Sequence, residues 1–185
     1  MIIPLHGNSA QDAPLPNYVL SVLPQACTTV CWQGIEPSQT SYKDARNLIA
    51  ALPNATPGQE PDTWIFSVDG EHWHGVALDS KTGKITLSPD RVSLGHAILE
   101  IGEPDSQVVQ FEVIARKFTE IRVVSLYYLD QQLTLTLRLG KTDRLSPEMP
   151  ISSIILLPQP LSELPMGSEA WGGFSWVATT PTFSR

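Results

Sequence analysis

The chain has 185 residues, 42% hydrophobic and 17% charged, with a formal net charge of −7 at pH 7. A domain of that size buries roughly 70% of the surface its unfolded chain exposes, so its core needs neither disulfide nor metal to hold it. The composition excludes a disordered chain and a coiled coil, and the acidic balance argues against nucleic acid or an anionic membrane as partner.

In chain order, residues 1–40 read as an irregular, proline-rich arm packed on the domain. Prolines at 4, 14, 16, 24 and 37 keep any helix short. Asn17 to Leu23 allows two turns, opened by Pro16 and closed by Pro24. The opening Met1-Ile-Ile-Pro-Leu-His lacks the basic and apolar stretches of a secretory signal. Cys27 and Cys31 are too few for a disulfide scaffold, and the expectation is two reduced thiols in a cytoplasmic protein.

Ser41-Tyr-Lys-Asp44 is a capping-box pattern, and Ala45, Leu48, Ile49 and Leu52 fall on one helical face before Pro53. This predicts one helix near 42–52. Residues 54–62 are a turn-rich linker.

From Thr63 to Leu157 the apolar period becomes two. Trp64, Phe66 and Val68 alternate into an Asp69-Gly70 hairpin turn, and a return strand runs from Glu71 to Leu78. After the loop Asp79–Gly83 come Ile85 and Leu87. Val92 to Ile101 reads as another strand, ended by Gly102-Glu-Pro-Asp105. Val109, Phe111, Val113 and Ala115 alternate; Ile121 to Leu129 is nearly all apolar, with Arg122 facing out. Leu133, Leu135, Leu137 and Leu139 then alternate with Thr134, Thr136 and Arg138, and Ile151 to Leu157 is a last strand. The predicted fold is mainly β, an antiparallel meander forming a β-barrel or β-sandwich over 41–157. The tail 158–185, with Trp171, Phe174 and Trp176, is expected to wrap the same domain. No stretch approaches the roughly 20 apolar residues of a membrane-spanning helix.

Three constellations could carry chemistry. His72 and His74 share a face on a strand, Asp79 follows, and His96 comes later. This spacing locally resembles the metal site of the cupin family, and the resemblance implies a divalent metal held by His72, His74, Asp79 and His96. Asp79 replaces the family's usual Glu, and its glycines are displaced. The segment Gln25-Ala-Cys-Thr-Thr-Val-Cys31-Trp32 looks like the nucleophile segment of papain-like cysteine proteases. That resemblance implies Cys31 as nucleophile, His74 as base, Asp90 as orienter and Gln25 as oxyanion donor. Gly34 and Pro37 forbid the family's long helix at the cysteine. A zinc site from Cys27, Cys31, His72 and His74 is the third reading, with a Cys-x₃-Cys spacing unusual for structural zinc.

Phosphate loops, dinucleotide fingerprints and nucleophile elbows are absent from the sequence. The leading expectation is therefore a non-enzymatic β module binding a partner protein or an apolar small ligand, without committed catalytic or metal residues or cofactor, and able to form a homo-oligomer. A cupin-like metal enzyme and a cysteine hydrolase are its rivals.

Overall fold

The computed structural model of the chain describes residues 17–27, 30–67, 70, 73–114, 119–140, 144–161 and 163–174. The fold is mainly β. Helix α1 (Asn17–Val22) precedes a small hairpin of β1 (Gln25–Ala26) and β2 (Val30–Cys31), and α2 (Tyr42–Ala50) follows. A first run of strands is β3 (Thr56–Pro57), β4 (Thr63–Ser67), β5 (Trp73–Leu78) and β6 (Ile85–Ser88). Helix α3 (Leu94–Ile101) leads to a second run, β7 (Ser106–Ile114), β8 (Thr119–Tyr128), β9 (Leu133–Leu139) and β10 (Ser153–Leu156), and β11 (Glu169–Ala170) comes last.

The nine strands β3–β11 form one antiparallel sheet in the order β11-β7-β8-β9-β10-β6-β5-β4-β3. The sheet is not closed, which fits a sandwich or an open barrel rather than a sealed one. Each run is a meander, and the two meet through their last strands, with Ile154 opposite Leu87 and Leu156 opposite Ile85. Reaching β7 from β6 requires the chain to pass three intervening strands, and α3 lies on that crossing.

Register puts one apolar face across the sheet. Leu133, Leu135, Leu137 and Leu139 are all buried. Their partners on β8 are Tyr128, Leu126, Val124 and Arg122. On β10, Leu156 and Ile154 stand opposite Leu133 and Leu135. The row continues through Leu87 to Val76 and Ile85 to Leu78, and through Val76 to Trp64. Ala45 and Ile49 of α2 and Leu94 and Ala97 of α3 join the same cluster, so both helices cover this face. Arg138 is exposed and Thr136 half-buried, as the alternation requires, while Thr134 is buried on the opposite face. Arg122 corrects the expectation of an outward side chain: it lies on the core face, 6% exposed, and its Nη2 donates to the Gly140 carbonyl at 2.8 Å.

Ser41 caps α2, and Asp44 braces the Ser41 hydroxyl. The Asp44 N–H donates to Ser41 Oγ at 3.2 Å, and that hydroxyl donates to Asp44 Oδ2 at 2.7 Å. Leu48 is exposed, however, and only Ala45 and Ile49 are buried from this helix. The strand expected at Val92–Ile101 is replaced by α3. Ser93 caps it by accepting the His96 N–H, and Leu94, Ala97, Ile98 and Ile101 recur with the helical period. The first free N–H groups of α3 are satisfied by another part of the chain: Leu94 donates to the Met149 carbonyl and Gly95 to that of Pro147, both at 2.8 Å. A Cβ at Gly95 would stand 2.9 Å from Pro147 Cβ, so this approach requires glycine. Val68, Asp69, Glu71, Ala115 and Trp176, with residues 1–16, lie outside the described residues. Gly70 has φ +85°, and its N–H donates to Ser67 Oγ.

Candidate functional site

His74 sits on the core face of β5, opposite Phe66, and is 1% exposed. Its ring lies 5.5 Å from that of Phe66, which lies 5.5 Å from Trp32. The Asp90 backbone N–H donates to His74 Nδ1 at 3.0 Å. An imidazole accepting at Nδ1 carries its proton on Nε2 when neutral. That is the reverse of a catalytic triad, where Nδ1–H donates to a carboxylate and Nε2 is free to take a proton. Asp90 therefore orients His74 through its backbone, and its carboxylate instead lies 3.7 Å from the Arg91 guanidinium at the surface.

Cys31 corrects two expectations. It is fully buried and forms a disulfide with Cys27, their Cα atoms 5.8 Å apart, so the pair is not two reduced thiols. A disulfide sulfur offers no thiolate for nucleophilic attack or zinc binding, which removes Cys31 as nucleophile and Cys27 and Cys31 as ligands. The chain after Cys31 makes a tight turn, with Trp32 and Ile35 exchanging backbone hydrogen bonds of 3.0 and 2.9 Å, and not the helix of the papain-like pattern. Gln25 does stand opposite Cys31, in the β1–β2 hairpin.

Of the cupin-like set, His72 lies outside the described residues. Asp79 belongs to the β5–β6 loop. Its Oδ1 accepts the N–H groups of Lys81 at 2.9 Å and Thr82 at 3.2 Å. These hydrogen bonds hold its carboxyl below the ordinary carboxylate range, chiefly through Lys81. The charge of Asp79 is thus used in a turn. His96 is on α3 and not on a strand. Among the described residues, three or more His, Cys, Asp or Glu side chains nowhere gather closely enough to hold a metal ion.

Two surface features complete the picture. A groove of about 620 Å³ runs between α2 and the β3–β4 turn, lined by Arg46, Asn47, Gln59, Glu60, Asp62 and Trp64 among others. The Tyr42 hydroxyl donates to the Asp62 carboxylate, which raises the Tyr42 pKa. Asp62 also lies 3.9 Å from Arg46 Nε. The second feature is the sheet face opposite the core. Trp73 is 50% exposed and Ile65 44%. Ile65 pairs with Gly75 and Ser67 with Trp73, so the two large side chains are diagonal neighbours on one face. The other outward residues of β4–β6 are Thr63, Ser67, Gly75, Ala77, Thr86 and Ser88, none of them charged. The signal in the sequence was Trp73 itself, out of phase with His74 and therefore on the opposite face.

No family model matches the chain, and no match emerges among the curated proteins or the solved structures. No helix among the described residues is long and apolar enough to cross a membrane.

Proposed function

We propose that the chain is a non-enzymatic binding module that takes a partner protein on the outer face of its first meander. The observation that carries this reading is the half-exposed Trp73 beside the half-exposed Ile65, on a sheet face that carries no charge among the described residues of β4–β6. Tryptophan is the side chain most enriched where binding energy concentrates, because a large rigid surface is desolvated at small entropic cost. An apolar small ligand has less support, since the groove beside α2 carries the charged Arg46, Glu60 and Asp62 in its lining.

The test is photocrosslinking from position 65 in cells, with and without Trp73→Ala. Both side chains are exposed, so the fold should tolerate the changes. The expected result is a discrete crosslinked partner that disappears with Trp73→Ala; a partner captured equally by both chains would overturn the reading. The cytoplasmic location expected from the sequence is not carried into this proposal. The Cys27–Cys31 bond favours an oxidising compartment instead, because bonded cysteine pairs are rare in a reducing cytosol, and free thiols trapped at lysis would overturn that placement.

A further inference from the structure

The two edges of the nine-stranded sheet differ. One ends in β3, a strand of two residues that includes Pro57, which has no N–H to offer a neighbour. That is an edge built against further pairing. At the other end β11 pairs only with Ser106 and Gln107 of β7. Among the described residues none pairs with the outer side of Val108–Ile114. This free segment, Val-Val-Gln-Phe-Glu-Val-Ile, contains no proline and no lysine and one charge, Glu112. It has none of the devices that blunt the opposite edge.

We propose that the free edge of β7 is a self-association site, at which a second copy of this chain adds antiparallel about a two-fold axis through Phe111. The window Val108–Ile114 is symmetric about Phe111, so two copies pair along its whole length without reaching either β11. In that register Val108 stands opposite Ile114 of the second copy, Val109 opposite Val113, and Gln110 opposite Glu112. The sole charged position stands opposite a neutral one and never opposite its own copy, whereas centring the pair on residue 112 would set that position against itself. Phe111 meets Phe111, a cross-strand aromatic pair, on the side of the sheet that carries the core. Alternate residues of an edge strand direct N–H and C=O outward, so the junction adds about six to eight backbone hydrogen bonds. Its contact is at the small end of specific interfaces, which makes the dimer weak and concentration-dependent.

Gln110 is exposed on the outer face, so its charge can be changed without disturbing the core. Sedimentation equilibrium over a concentration series compares the parent chain with Gln110→Lys and Gln110→Glu, each checked for unchanged circular dichroism and Tm. Gln110→Lys creates two Lys–Glu pairs per dimer and should tighten the dissociation constant by roughly 2- to 30-fold; Gln110→Glu creates two Glu–Glu pairs and should weaken it by a similar factor. A monomer at every concentration in all three chains would overturn the proposal, as would two variants that shift the same way or not at all. Trp73→Ala should leave the dimer intact; if it abolishes self-association, the copies meet through the other surface and this proposal falls. A dimer seen only after removal of residues 175–185 would assign the edge to the chain's own tail and also overturn it.

Discussion

Tyr128 carries a phenol into the core face with its hydroxyl buried and, among the described residues, without a hydrogen-bond partner. Burial, reinforced by the nearby carboxylates of Asp105 and Glu103, pushes its pKa upward. The folded pKa lies above the unfolded value of about 10, so this group's contribution is fully present below pH 10 and is lost as pH rises through the folded pKa. Tyr128→Phe removes an unpaired buried hydroxyl. It should stabilise the protein by about 1 kcal/mol in urea unfolding at pH 8, and its stability should fall less between pH 8 and pH 11 than the parent's. The cysteines give a second expectation: the isolated protein should weigh two hydrogens less than the reduced chain and take up iodoacetamide only after reduction. Two residues of Cys-x₃-Cys say nothing of pairing until the β1–β2 hairpin folds them together, so the sequence left that bond unread. His74 was illegible for a related reason. Its tautomer is set by a backbone amide sixteen residues away, which residue type cannot signal. The Ser41–Asp44 cap was legible because both partners lie within one turn.

At the scale of elements, period decided what could be read. The alternation of β9 set its register, since a one-residue slip would turn four leucines to the other face. Leu135→Ala should therefore cost about 2–5 kcal/mol in denaturant unfolding, and Thr136→Ala less than about 1 kcal/mol; equal costs would contradict the register. Helix α3 was misread because eight mostly apolar residues satisfy both periods. Ser93 before the run and Gly102 after it, with φ +103°, were the signals that distinguish a capped helix. Gly95 gives this helix a sharp test. Alanine is the better helix former by about 1 kcal/mol, but its Cβ would press on Pro147. Overpacking of that kind costs about 1–3 kcal/mol, so Gly95→Ala should lower Tm, where helix propensity alone would raise it.

For the whole molecule, local signals yielded the strands but not their neighbours. The pairing of β6 with β10 joins residues 85–87 to 154–156, and nothing within either strand announces a partner so distant in the chain. Mainly β architecture was therefore readable, while the single open sheet, with helices over its apolar face, was not. The candidate sites fared worse, because they were read from spacing along the chain and the fold sends Asp79, Cys31 and His96 to a turn, a disulfide and a helix. The short β3 with Pro57 has a consequence for growth. A sheet with two receptive edges can add copies without end, whereas one receptive edge that pairs with itself closes after a single addition. Assembly through β7 should stop at two chains, and concentrated protein should stay free of fibrils and of thioflavin fluorescence. Extending β3 and replacing Pro57 by valine would give the sheet a second open side and turn a closed pair into a polymer.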